Sequence, residues 1–175
     1  MRILDVNQVN GRNSNPRNAT NINQINGTES GDDIGEDKVT DGRDHINAQG
    51  GSDTIVGSLG GDTIDVGYDD DPDYVEYDNF SQRTDQIINF DPNDEDIVVL
   101  KSDFFSNLVE EYGLNSDANV EDWLGIEQFG SDTYIRVDPD GLQGDSPFRT
   151  LARLKNVDPN DLTIDIQEDG DFFIG

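Results

Sequence analysis

Between residues 27 and 80 the apolar positions come singly, each two places after an aspartate and separated by polar turns rich in glycine. The form Gly-x-Asp-x-apolar appears as Gly35-Glu36-Asp37-Lys38-Val39, Gly42-Arg43-Asp44-His45-Ile46, Gly51-Ser52-Asp53-Thr54-Ile55 and Gly60-Gly61-Asp62-Thr63-Ile64. The leading glycines step by 7, 9 and 9 residues. A looser opening copy ends Gly31-Asp32-Asp33-Ile34, and a looser closing copy runs Asp71-Pro72-Asp73-Tyr74-Val75. Nine residues are too few for a helical repeat unit. They fit a turn of six residues and a strand of three, with one apolar side chain pointing inward and its neighbours outward. Two such half-coils make an 18-residue coil of a flattened parallel solenoid. Ile46 and Ile64, 18 apart, are then expected side by side in one sheet, and Asp44 and Asp62 in one row of turns. Asp53 is expected in the opposite row, facing Asp37 and Asp73 at spacings of 16 and 20.

The flanking patterns differ. Residues 1–26 hold eight asparagines, broken by Gly11 and Pro16, and read as a flexible leader, with Ile22 and Ile25 joining the first strand. Downstream, Ile87–Phe90 and Ile97–Leu100 read as strands around an Asp-Pro-Asn-Asp turn. Ser102 to Tyr112 has helical apolar spacing at Phe104, Phe105, Leu108, Val109 and Tyr112, with Ser102 as N-cap and Gly113 as stop. A further helical turn is expected at Val120–Leu124, carrying Trp123 into the core. Strands are expected at Thr133–Val137, Phe148–Leu154, Leu162–Ile166 and Phe172–Ile174. This divides the chain into a leader (1–26), a repeat segment (27–80) and a C-terminal segment (81–175).

Composition sharpens the reading. The 175 residues carry 39 acidic and 11 basic side chains, a net charge of −28, with no cysteine and one histidine. Such a polyanion is repelled by nucleic acid and by anionic lipid. The absence of cysteine removes disulfides, thiol nucleophiles and thiolate metal sites. No stretch approaches the roughly 18 apolar residues of a membrane span, and residues 1–25 lack the apolar run of a signal peptide. Hydrophobic residues make up only 32%, so apolar burial alone is a weak basis for folding. Stacked aspartates repel unless a cation lies between them. A hard divalent ion with six to eight oxygen ligands fits two carboxylates and turn carbonyls, and Ca²⁺ suits an irregular oxygen cage better than Mg²⁺.

At these residues the chain resembles the RTX family, the hemolysin-type calcium-binding repeats with nonapeptide G-G-x-G-x-D-x-U-x. Gly57-Ser58-Leu59-Gly60-Gly61-Asp62-Thr63-Ile64-Asp65 matches best, and the unit from Ala48 to Val56 keeps Gly51, Asp53 and Ile55. The unit from Val39 to Asn47 keeps only Gly42, Asp44 and Ile46. Residues 84–100 are similar to a segment that follows such repeats, with Asp85, Ile87, Asn89, Phe90, Asp96, Ile97 and Leu100 in comparable places. The resemblance implies a mainly all-β fold: a short parallel β-roll solenoid with bound calcium, and a small C-terminal β-rich cap with one or two short helices. It implies metal ligation around Asp32, Asp37, Asp44, Asp53, Asp62 and Asp73, with Gly42, Gly51, Gly57 and Gly60 shaping the turns. It also implies secretion through a type I machinery, because the C-terminal segment and the ending Asp171-Phe172-Phe173-Ile174-Gly175 are similar to such substrates.

No HExxH, GxSxG or P-loop occurs, and His45 has no partner motif. A non-catalytic, secreted calcium-binding module is therefore expected, folding on meeting Ca²⁺ outside the cell. An extracellular adhesin or glycan-binding protein with a calcium-shaped surface, engaging a polysaccharide or protein, is the alternative. Asp138-Pro139-Asp140-Gly141 is similar to the start of an EF-hand loop, but Leu142 and Arg149 occupy later ligand places. It is read as a turn, with an extra calcium site as the alternative.

Overall fold

The computed structural model describes residues 22–35 and 37–167. Most of the leader and the expected strand Phe172–Ile174 lie outside the described residues. The protein is mainly β. Eight short strands come first: β1 (Asn23–Asn26), β2 (Asp33–Ile34), β3 (Asp44–Asn47), β4 (Thr54–Ile55), β5 (Thr63–Asp65), β6 (Tyr74–Tyr77), β7 (Asp85–Ile88) and β8 (Ile97–Leu100). They alternate between two sheets. One runs β1-β3-β5-β7 and the other β8-β6-β4-β2, with every neighbour parallel.

Register follows from the single apolar residue of each copy. Ile25, Ile46, Ile64 and Ile87 form one line of paired positions, and Ile34, Ile55, Val75 and Val98 form the other. All eight are buried. The spacing of 18 thus places Ile46 beside Ile64 as expected. A narrow core needs only one branched side chain per strand, so a chain of low hydrophobic content fills it. Ile25 joins the first strand, whereas Ile22 stays outside it and is exposed.

The C-terminal residues extend both sheets. Lys101 is still extended, and its N–H donates to the Tyr77 carbonyl at 2.8 Å. Helix α1 (Ser102–Asn107) starts straight from strand β8, and Lys101, not Ser102, is its N-cap, without a side-chain cap bond. The helix widens into a π turn over Leu108–Tyr112 and stops at Gly113, whose φ of 81° needs no Cβ. Helix α2 (Val120–Trp123) follows, then β9 (Leu124–Phe129), β10 (Asp132–Val137), β11 (Arg149–Leu154) and β12 (Ile164–Ile166). Strands β9, β10 and β11 are antiparallel, and β11 joins β7 in parallel, giving a seven-stranded sheet. Strand β12 joins β8 in parallel, giving a five-stranded sheet. Phe80, Phe104, Tyr112 and Trp123 pack at the helices, with Phe80–Phe104 and Phe80–Tyr112 edge-on at 6.4 and 5.4 Å.

The strands on either side of the Asp-Pro-Asn-Asp turn do not form a hairpin. β7 and β8 lie in different sheets and continue the alternation begun at β1. Residue 80 lies between β6 and β7. Strand β9 was not evident from the sequence because most of its side chains are exposed and carry no buried period. Pairing with β10 across the Gly130 turn creates it.

Candidate metal centre

One aspartate precedes or opens each strand from β2 to β8, and these aspartates fall into two rows. In the first, the main-chain N–H of Asp32 donates to Asp53 Oδ1 at 2.7 Å. That of Asp53 donates to Asp73 Oδ1 at 2.8 Å, and that of Asp73 to Asp96 Oδ1 at 2.9 Å. In the second row Asp44 N–H donates to Asp62 Oδ1 and Asp62 N–H to Asp85 Oδ1, both at 2.8 Å. Each carboxylate thus reaches along the stack to the coil before it. An aspartate fits because its short side chain presents one oxygen to a neighbouring strand and leaves the other free.

The second oxygens fare differently. Thr28 N–H donates to Asp32 Oδ2, Thr40 N–H to Asp44 Oδ2 and Asp91 N–H to Asp96 Oδ2, at 2.6, 2.7 and 2.8 Å. The Tyr77 hydroxyl donates to Asp85 Oδ2 at 2.9 Å. Asp53 Oδ2 and Asp62 Oδ2 are buried with no hydrogen-bond partner, and both residues are 1% exposed or less. A buried acceptor left in this state costs about 1–3 kcal/mol, more when charged. The ion pairs Lys101–Glu76, Arg136–Glu127 and Arg153–Asp132 lie elsewhere.

Protonation follows the same physics. Burial pushes the Asp62 carboxyl up to about 7, and the charges of Asp85 and Asp44 add to it, against the N–H bond from Asp44. Burial likewise raises Asp73 to about 7, and Asp53 and Asp85 to about 6. These oxygens attract positive charge, whether a proton or a metal ion.

Glycine keeps space beside them. A Cβ on Gly57 would stand 3.0 Å from Asp62 Oδ2 and 3.4 Å from Asp85 Oδ2, so Gly57 borders a gap between two carboxylates. Gly60 has φ 145°, and a Cβ there would stand 2.5 Å from the Gly42 carbonyl oxygen. Gly51 has φ 91° and abuts Ser30 and Gly31 of the adjoining coil. Gly42 and Gly60 therefore stack, and with Gly51 they let adjoining turns approach.

Of the aspartates expected at the site, Asp32, Asp44, Asp53, Asp62 and Asp73 lie in the rows. Asp37 does not: it is exposed in a turn after β2, and Asp32, one residue before β2, takes the place expected for it. The copy beginning at Gly35 forms no strand, so its spacing carried no register. Asp85 and Asp96 are row members that the glycine pattern did not reveal. Each follows a non-glycine residue of left-handed φ, Thr84 (77°) and Glu95 (67°), and neither has the glycine two places earlier that precedes Asp44, Asp53 and Asp62. The remaining signal is the Asp-x-apolar of Asp85-Gln86-Ile87 and Asp96-Ile97-Val98. Asp69 also has a buried unpartnered Oδ2, beside Gly50 and Gly67.

Among the described residues no three histidine, cysteine, aspartate or glutamate side chains converge to hold one metal ion. A cation at the rows would draw on one or two carboxylates and on main-chain carbonyls. No helix among the described residues is long and apolar enough to cross a membrane. No family model matches the chain, and no curated protein matches its sequence.

Proposed function

We propose that this protein is a calcium-binding module of the RTX type, a parallel β-roll whose aspartate rows take up Ca²⁺, without catalysis of its own. The observation that carries this reading is the pair of buried, unpartnered oxygens, Asp53 Oδ2 and Asp62 Oδ2, one in each row. The gap that Gly57 leaves between Asp62 and Asp85 supports it. The donor set is all oxygen, which suits a hard divalent cation. Bound calcium would supply the positive charge that the rows lack.

The chain's own residues do the rest. Asp62 and Asp53 present a free oxygen each, fixed in place because the other oxygen accepts an N–H from the preceding coil. Gly57 keeps the approach open, while Asp44 ends its row with both oxygens accepting from Thr40 and Asp32 ends its row with Oδ2 accepting twice from Thr28. Folding and metal binding are then linked. Where calcium is scarce, repulsion among the carboxylates opposes the coils and leaves the fold marginal. Where it is abundant, the coils are stabilised. This matches the secreted location and type I export that the resemblance implies.

Thermal melting followed by far-UV circular dichroism across a calcium titration, with magnesium as control, tests the proposal. The expected result is a melting midpoint that rises with calcium and does not rise with magnesium at equal concentration. An identical midpoint in calcium and in excess chelator would refute it.

A further inference from the structure

The connection between β10 and β11 carries a second set of carboxylates, remote in sequence from the two rows. Asp138 directly follows β10 and is 4% exposed. Its N–H donates to the Trp123 carbonyl at 2.8 Å, which ties the start of the loop to the end of α2. Its Oδ1 is buried and has no hydrogen-bond partner. The carboxyl groups of Asp138 and Asp140 lie within hydrogen-bonding reach of each other. The chain holds them there. Asp140 accepts N–H bonds from Asp145 and Ser146, each at 3.2 Å. Gly144 lies so close that a Cβ would stand 2.1 Å from the Asp140 carboxyl carbon. Gly141, with φ 70°, turns the chain between them and abuts Leu114. An open acidic cleft adjoins Asp140, with Asp117, Asp122 and Asp145 among its walls.

No lysine or arginine pairs with either carboxylate among the ion pairs of the described residues. Two acids fixed in contact, one buried with an idle oxygen, attract a proton or a metal ion between them. We infer that the Asp138–Asp140 loop binds a divalent cation, calcium, through both carboxylates, at a site separate from the aspartate rows. The ion fastens the β10–β11 connection and completes the ligation of Asp138 Oδ1. The remaining oxygens come from water in the cleft and from loop carbonyls, as calcium's irregular coordination allows. This site does not rest on the roll reading.

Equilibrium dialysis of the full chain against calcium, counting ions bound per chain, tests it. In Asp140→Asn and in Asp138→Asn/Asp140→Asn the count is expected to fall by one, or the weakest-affected site to lose tenfold or more in affinity. The circular-dichroism response of the repeats is expected to stay as in the parent. An unchanged count and affinity, in a variant whose near-UV Trp123 signal is native, overturns the site. The result would mean that the pair shares a proton. The chain carrying Asp53→Asn/Asp62→Asn separates the two readings and needs no change in the loop. One bound ion remaining there, and lost on adding Asp140→Asn, supports the loop site whatever the rows do. No bound ion there, with native near-UV signal, overturns it.

Discussion

The main-chain N–H of Asp44 donates to Oδ1 of Asp62 at 2.8 Å, across 18 residues of sequence. The bond orients Asp62 and leaves its Oδ2 buried and idle, while Asp44 itself has both oxygens bound by Thr40. The two aspartates occupy the same place in successive coils and yet differ in what they lack. Asp62→Asn removes a buried charge and keeps the acceptor for Asp44. In chelator at pH 8 that variant is expected to be more stable than the parent by about 1 kcal/mol or more, because the amide carries no buried charge beside Asp85 and Asp44. Calcium at a hundredfold excess over Kd stabilises the parent by about 2.7 kcal/mol per site. Asp62→Asn should lose that increment at its site, and Asp44→Asn should keep it. Urea unfolding of the three proteins with and without calcium makes the comparison, and a full calcium increment in Asp62→Asn removes Asp62 from the ligands.

Glycine substitutions separate space from backbone strain. Gly57→Ala places a methyl 3.0 Å from Asp62 Oδ2, with nothing nearer, and its φ lies outside the left-handed region. Its main effect is expected on calcium: an affinity lower by tenfold or more, with stability in chelator changed by less than about 1 kcal/mol. Gly60→Ala meets the Gly42 carbonyl at 2.5 Å at φ 145°, so the fold itself should lose about 1–3 kcal/mol with or without calcium. Calorimetric titration beside thermal melts distinguishes the two patterns. Equal calcium affinity in Gly57→Ala and the parent would show that the gap is not where the ion sits.

Much of this arrangement was legible in the residues. The 18-residue recurrence of Asp-x-Ile placed Ile46 against Ile64 and Asp44 against Asp62, because a strand period of two fixes which side chains turn inward. The register of the first row was less legible. Its spacings of 21, 20 and 23 reflect turns of unequal length, and the Gly-x-Asp-x-apolar form at Gly35 led to Asp37 beside Asp32. Glycine was a partial guide. Thr84 and Glu95 adopt left-handed φ without being glycine, so Asp85 and Asp96 fell outside the glycine pattern although the Asp-Pro-Asn-Asp turn before Asp96 was visible. What no local pattern held was the continuation of both sheets into the C-terminal segment. The pairing of β11 with β7 and of β12 with β8 joins residues more than 60 apart.

Proton binding gives a pH dependence whose sign is fixed. The folded-state values of Asp62 and Asp73, about 7, and of Asp53 and Asp85, about 6, lie above the ordinary 3.8. Groups raised by folding contribute stability that is complete below the unfolded value and is lost as pH rises through the folded one. The metal-free protein should therefore melt higher at pH 5 than at pH 8. Asp132 is shifted the other way, held low by the Asn156 N–H and then by Arg153, so its contribution is lost only at more acid pH and leaves this comparison alone. With calcium present the increment should be largest at pH 8, where protons no longer compete for the same oxygens. Melting temperatures in calcium-free buffer at the two pH values decide the point, and stability rising from pH 5 to pH 8 would contradict it. Asp62→Asn should flatten the profile, which a general effect of the net charge of −28 would not require.

Tyr77 offers a test of how the rows are closed. It lies in β6, is 1% exposed, and reaches across the core to donate its hydroxyl to Asp85 Oδ2 in the opposite sheet at 2.9 Å. Burial and the Asp85 carboxylate push the phenol well above its usual 10, so it stays a donor throughout the accessible range. Tyr77→Phe keeps the ring and removes the hydroxyl, leaving Asp85 Oδ2 idle beside Asp62 Oδ2 at the Gly57 gap. In chelator the loss should be about 1–3 kcal/mol. With calcium bound, the freed oxygen becomes a second carboxylate donor to the ion, and the deficit should shrink by at least half. The measurement is urea unfolding of parent and Tyr77→Phe in both conditions. An equal deficit with and without calcium would mean that Asp85 takes no part in ligation and that the gap is bordered by Asp62 alone.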